Sequence, residues 1–215
     1  MVELNKYRHV IWDWNGTLLD DVWLCVESVN ESLSRRRLPL ITEETYRELF
    51  DFPVIDFYRQ LGFDFEVESF EDLSVEYHSQ YEPRWIECRF QPGAREALES
   101  LANTGLNQSL LSAAHQEMLD ACVEHFNLGE HFVHVTGLDN KYADGKVELG
   151  RRLLGRLRMD PRDVLLIGDT VHDHEVARAL GVDCVLTAAG HHSREKLEPC
   201  GVQVFDSPAE IFNGV

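Results

Sequence analysis

Between Pro92 and Phe205, short apolar runs alternate with helix-patterned segments, and few architectures accommodate that rhythm. Pro92–Asn103 reads as a helix closed near Gly105, Asn107–Ser112 as a strand, His115–Phe126 as a helix and Phe132–Thr136 as a strand. Lys146–Arg158 (helix), Val164–Gly168 (strand), His172–Leu180 (helix stopped by Gly181), Val182–Thr187 and Val202–Phe205 (strands) continue it. Strands alternating with helices of this length predict a parallel sheet covered by helices on both faces. An earlier run, Arg8–Asp13, ends in an acid and leads into Trp14-Asn15-Gly16-Thr17, a buried strand entering a tight turn.

The rhythm is broken once. Val22, Val26, Val29 and Leu33 recur at helical spacing over Asp20–Arg37, with Asp20 or Asp21 placed to cap the start and Arg35–Arg37 the end. Residues 38–88 read as helical pieces opening at Thr42, Pro53 and Ser69, without strand alternation and without a lysine. The predicted organisation is an α/β core of residues 1–17 and 89–215, interrupted after its first strand by an all-helical insert of residues 18–88. Thr17–Asp20 and Glu87–Pro92 are the expected hinges.

Charge narrows the range of partners. With 38 acidic and 20 basic residues the net charge is −18, which disfavours nucleic acid and anionic membrane surfaces. Any phosphate site must then be locally positive. The odd number of cysteines, with no CxxC pair, reads as reduced thiols of a cytoplasmic protein. Met1–Val10 has no signal-peptide core, and no apolar run reaches membrane-spanning length.

In open parallel sheets, ligands sit beyond the C-terminal strand ends. The first strand delivers Asp13, Asn15 and Thr17 to that edge. The second delivers Ser112, with His115 following, the next helix begins at Lys146, and the fourth delivers Asp169 and Asp173. A nucleophile candidate, a hydroxyl, a lysine and two further carboxylates therefore converge. Plainer readings stand beside this one. Asp13, Asp169 and Asp173 can cap helices, Ser112 can be a strand-end polar residue, and Lys146 can be solvated with Lys141 in its place.

Asp13-Trp14-Asn15-Gly16-Thr17, then Ser112, Lys146 and Gly168-Asp169-Thr170-Val171-His172-Asp173 resemble the four ordered motifs of the haloacid dehalogenase superfamily. The helical insert resembles that of its phosphoglycolate-phosphatase-like branch. The resemblance implies a Rossmann-like core with a helical cap, and Mg²⁺-dependent hydrolysis of a small phosphorylated metabolite through an aspartyl-phosphate on Asp13. It implies a metal site at Asp13, the Asn15 carbonyl and Asp169, with Ser112 and Lys146 gripping the phosphoryl oxygens. Asp173 would hold metal-bound water or orient Lys146, while Gly16 and Thr17 support the turn. A monomer or homodimer is expected.

Asn15 departs from the family pattern, which places a second acid/base aspartate there. An amide cannot exchange a proton near neutral pH. The sequence leaves three outcomes open. A histidine supplies the proton, with His115 and His172 as candidate carriers and His191 and His192 also near the edge. Alternatively, the substrate carries a good leaving group, so that aryl and acyl phosphates outrun alkyl phosphates and a long-lived phosphoenzyme transfers its group. Or the protein is an impaired phosphate-binding or regulatory protein. The lack of a lysine from Thr17 to Phe90 argues against Schiff-base phosphonate cleavage. In the insert, Arg47, Arg59 and Arg84 are candidates to meet an anionic tail. Phe50, Phe52, Phe57, Tyr58, Phe63 and Phe65 read mainly as insert core, and Asp51–Val54 as a junction that can face the site.

Overall fold

The computed structural model describes residues 2–138 and 145–212. Lys141 lies outside them. In chain order the elements are β1 (His9–Trp12), β2 (Leu19–Asp20), α1 (Val22–Arg35), α2 (Glu43–Leu49), α3 (Val54–Gln60), α4 (Phe70–Tyr81), β3 (Arg89–Phe90), α5 (Ala94–Thr104), β4 (Asn107–His115) and α6 (Gln116–His125). They continue with β5 (His134–Leu138), α7 (Lys146–Leu157), β6 (Val164–Gly168), α8 (Val171–Leu180), β7 (Asp183–Thr187), α9 (Arg194–Leu197), β8 (Gln203–Phe205) and α10 (Pro208–Ile211).

The main sheet has six parallel strands in the order β5-β4-β1-β6-β7-β8. A buried parallel sheet needs apolar side chains on both faces, and period-two alternation delivers them. Val10, Trp12, Leu165 and Ile167 join one apolar cluster with residues of α5, α6 and the inserted helices. Ile11, Val164 and Leu166 turn to the other face, against Leu149 and Leu153 of α7 and Val176, Ala177 and Leu180 of α8. The chain fills β4 and β5 on one side of β1, then returns to fill β6 to β8 on the other. The order thus reverses at β1, the position at which open sheets bind ligands.

The inserted helices α2, α3 and α4 open at the expected residues, Thr42, Pro53 and Ser69. Thr42 and Ser69 cap α2 and α4 by accepting from the backbone N–H of Thr45 and Asp72. The two expected hinge segments pair with each other: β2 and β3 form a two-residue antiparallel ribbon, extended by Gln91 N–H donating to the Leu18 carbonyl at 2.9 Å. Strands this short leave no alternation to read, so the ribbon is invisible in the sequence. It gives the insert a paired base at its junction with the core. All five cysteines are free thiols. Among the described residues no helix is long and apolar enough to cross a membrane.

Candidate active site

Asp13 continues the line of β1. Its N–H donates to the Ile167 carbonyl at 2.9 Å, which holds it beside the end of β6. The loop then tightens at Gly16, whose φ is +72°. A side chain there would collide with the Asp169 carboxylate and the His191 ring, so only glycine serves. A side chain at Gly190 would collide with the same Asp169 carboxylate.

Three carboxylates and one ammonium share this buried spot. Lys146, the first residue of α7, bonds to Asp13 and, at 2.6 Å, to Asp173. Thr17 donates its hydroxyl to Asp169 at 2.7 Å, and the His191 N–H donates to the same carboxylate at 2.7 Å. Asp173 belongs to a capping box with Thr170 at the start of α8 and also receives Asp169 N–H at 3.2 Å. Capping and site membership therefore coexist in one side chain. Burial opposes the charge of Lys146, but Asp13 and Asp173 hold its pKa above the ordinary lysine value. Asp173 is likewise held low by Lys146 and Thr170 against the effect of burial. Burial and the two neighbouring carboxylates, against the pull of Lys146, push Asp13 up to about 8. Asp169 rises to about 6, driven by burial and by Asp173. The Lys146–Asp173 pair is thus firmly ionic, and the remaining carboxylates crowd one another because one ammonium cannot neutralise three. Oxygens of Asp13, Asp169 and Asp173 lie within 4.8 Å of one another. That is an all-oxygen donor set of the kind that suits a hard divalent cation.

Asn15 does not point at this cluster with a free amide. Its Nδ2 donates to Asp21 Oδ2 at 2.8 Å and to the Tyr81 hydroxyl at 2.9 Å. Asp21 also accepts from Tyr81 at 2.7 Å and from Gly16 N–H at 2.8 Å, and faces His191 Nε2 at 3.5 Å. Asp20 or Asp21 is the expected cap of α1. Asp21 does stand at the N-cap position of α1, yet its side chain makes no capping bond and turns inward instead. Burial opposes ionisation of Asp21, but His191, Asn15 and Tyr81 hold its pKa below the usual carboxylate range. Burial also opposes charge on His191, but Asp21 and the nearby Asp169 and Asp13 raise it to about 9. His191 Nδ1 meets the Tyr46 hydroxyl at 3.1 Å. Nothing in the local sequence marks this network, because Asp21, Tyr46, Tyr81 and His191 meet only through the fold.

The other candidates divide. Ser112 is buried within β4, which runs on to His115, and its hydroxyl accepts from Ala114 N–H at 3.0 Å. His115 stands at the N-cap position of α6 without a side-chain capping bond, is exposed, and is absent from the cavity lining, so the fold does not bring it to the cavity as a proton carrier. His172 does line the cavity, 4.7 Å ring to ring from Phe52. His192 is buried and accepts from Val171 N–H at 3.1 Å, and burial lowers its pKa to about 4. Arg47 pairs with Glu43 and donates to the Gly190 carbonyl; Arg59 pairs with Asp56, and Arg84 with Glu27 and Glu87. None of these arginines lines the cavity.

That cavity, about 290 Å³, lies between the strand ends and the inserted helices. Asp13, Asn15, Ser112, Lys146 and Asp173 form its floor. Phe50, Phe52, Phe57 and Tyr58, read from sequence mainly as insert core, face it, as does Val54, whereas Phe63 and Phe65 do not.

A family model described as haloacid dehalogenase-like hydrolase matches residues 10–187. The tyrosine-protein kinase PtkA of Mycobacterium tuberculosis is 25% identical over 94% of the chain and 69% of its own length. A phosphoglycolate phosphatase of Nitrosospira multiformis is 29% identical over 83% of the chain and 82% of its own. Among solved structures, a haloacid dehalogenase-like hydrolase from Streptococcus pneumoniae superposes with a TM-score of 0.83 at 17% identity, covering 97% of the chain and 98% of its own.

Proposed function

The chain belongs to the haloacid dehalogenase-like hydrolases and is a phosphoric monoester hydrolase of that family; from that premise we propose that it cleaves a small phosphorylated metabolite through an aspartyl-phosphate on Asp13, with Mg²⁺ as cofactor. The observation that carries the proposal is the meeting of Asp13, Lys146, Asp169 and Asp173 at the point where the strand order reverses. We divide the chain into a core of residues 1–17 and 89–215 and a cap of residues 18–88, and place the activity in the cytoplasm.

Asp13 attacks phosphorus with one carboxylate oxygen, and the ester oxygen leaves with its electron pair. Lys146 and Ser112 hold the phosphoryl oxygens, and Lys146 lets a dianion approach a floor that is otherwise acidic. Asp173 fixes the lysine by the 2.6 Å pair. Mg²⁺ would be held by Asp13, Asp169 and the Asn15 carbonyl, and would supply charge neutralisation for the phosphoryl group. Water then attacks the aspartyl-phosphate and regenerates Asp13. Asn15 contributes no proton to either step, because an amide does not ionise near neutral pH; its N–H groups bond to Asp21 and Tyr81.

Turnover of a panel of phosphomonoesters with Mg²⁺, in wild type and Asp13→Asn, tests this reading. Activity is expected to vanish in Asp13→Asn and on chelation, and activity that survives either treatment would sink the mechanism. Asn15 favours one second reading, in which the phosphoenzyme breaks down slowly and passes its group to an acceptor. A relative named as a tyrosine kinase is consistent with that. A phosphoryl burst followed by acceptor-stimulated turnover is the result that distinguishes it.

A further inference from the structure

We infer that the preferred substrates are aryl phosphates, small monoesters that join the phosphoryl group to a flat, uncharged aromatic ring. The inference rests on the phosphatase reading of Asp13 and specifies what that site accepts. Two independent observations lead to it, one from the roof of the cavity and one from the nucleophile loop.

The roof is aromatic. Phe50, Phe57, Tyr58, Phe70 and Tyr77 face the same space as Asp13 and Lys146. Tyr46 and Phe50 stack at 4.9 Å, and Phe57 meets both edge-on at 5.5 Å, the arrangement into which a further ring packs favourably. Size agrees, since an apolar cavity of roughly 150 Å³ holds benzene and about 290 Å³ leaves room for the phosphoryl group as well. Charge points the same way. Among the described residues lining the cavity, Lys146 is the one lysine or arginine, and it is already engaged by Asp13 and Asp173. Three histidines also line it, but each already faces a partner, His191 meeting Asp21 and Tyr46, His78 meeting Glu82 and His172 meeting Glu175. A carboxylate on the substrate's far end would therefore meet no lysine or arginine and only imidazoles that are already engaged, which is costly.

The loop selects on leaving-group chemistry. With Asn15 unable to donate a proton and both ring nitrogens of His191 turned to Tyr46 and Asp21, the nucleophile loop offers no acid to the ester oxygen, which departs as an anion. A phenol ionises near about 10, while an alkoxide is closer to the anion of water, whose pKa is about 15.7. The step balances without an acid. An Asp13 oxygen bonds to phosphorus as the phosphorus–aryloxide bond breaks, and the phenolate takes the electron pair. Water then displaces Asp13 from phosphorus, and its two protons end on the phosphate and the phenolate. The loop thus favours stable leaving anions over alkoxides, and the roof selects among them the one carried by a ring.

The test has a catalytic and a binding arm, both on the wild-type protein with Mg²⁺. Phenyl phosphate should exceed ethyl phosphate and phosphoglycolate in kcat/KM by about a hundredfold or more. Calorimetry should find phenylphosphonate, which cannot be hydrolysed, bound about tenfold tighter than methylphosphonate. Phe50→Ala should erase most of that affinity ratio, with methylphosphonate binding reporting that the phosphoryl site is still folded. Ser74→Arg, which sets a cation in the cavity wall, should shift the preference toward phosphonoacetate. If ethyl phosphate or phosphoglycolate is hydrolysed as well as phenyl phosphate, or phenylphosphonate binds no tighter than methylphosphonate, the inference is overturned and the phosphatase reading stands. If no monoester is hydrolysed while phenylphosphonate keeps its advantage, the phosphatase reading falls and the ring selectivity stands.

Discussion

The floor and the roof of one cavity are made by opposite means. The floor gathers charged side chains from β1, α7 and the β6–α8 turn, and each is pinned by a bond to another polar group of the core. The roof gathers rings from α2, α3, α4 and the α2–α3 junction, held mainly by ring contacts with one another. The floor tolerates little displacement, because its groups repel unless they are paired. The roof can trade one ring for another at modest cost. Such a division lets one surface fix the chemistry while the other fixes what the chemistry is applied to.

Perturbing the floor should do the most damage. Asp13→Asn should cut turnover by on the order of 10⁴-fold or more, with binding of phenylphosphonate retained by calorimetry. Lys146→Met strands Asp13 and Asp173 in a buried position and should cost about 3–5 kcal/mol of stability by urea unfolding. Equal stability of wild type and Lys146→Met would mean that the floor is not held by charge.

The His191 ring joins the floor to the roof and makes the junction sensitive to pH. Its folded pKa of about 9 lies above the ordinary 6.5. The stability it adds is therefore complete below 6.5 and is lost as pH rises through about 9, on the order of 3 kcal/mol in all. The difference in urea midpoint between wild type and His191→Gln should shrink over that window. A pH-independent difference would show that the imidazole is held by packing alone.

The Asn15–Asp21 contact sharpens the comparison. Asn15→Asp sets a carboxylate against Asp21, where the amide now sits at 2.8 Å, and should destabilise the protein. Adding Asp21→Asn should recover the loss, with a coupling of about 2 kcal/mol in a double-mutant cycle. Additive effects would mean that the two residues do not share a bond. The smallest effect belongs to the roof's own scaffold. Arg36 bridges Glu68 and Glu76 at its partly exposed rim, and Arg36→Ala should cost about 1 kcal/mol or less without altering phenyl phosphate turnover.

Legibility follows the same divide. Strand β6 occupies the expected residues, Val164–Gly168, because five consecutive buried apolar positions leave no other reading. The charged floor was readable because Asp13, Lys146 and Asp169 stand at or just past the ends of elements whose direction the α/β rhythm dictates. Asp21 stands at the N-cap position that an acid preceding a helix ordinarily signals, but its side chain makes no capping bond. Its inward turn depends on Tyr81, sixty residues away, and on His191. The rings of the insert were recognised as buried, but a ring facing a cavity and a ring facing a core leave the same sequence pattern. Phe57 and Phe63 are both buried, and only Phe57 lines the cavity.

The bond between Asn15 and Asp21 also bears on this chain's history. A single substitution that brings an acid to position 15 meets a carboxylate already in place, so an acid-bearing loop is costly unless position 21 changes with it. Tyr81 donates to the same Asp21 oxygen that Asn15 does and also accepts from Asn15, so that change in turn disturbs the seat of α4. Three positions in separate elements thus form one epistatic unit, in which the order of substitutions decides which forms are reachable.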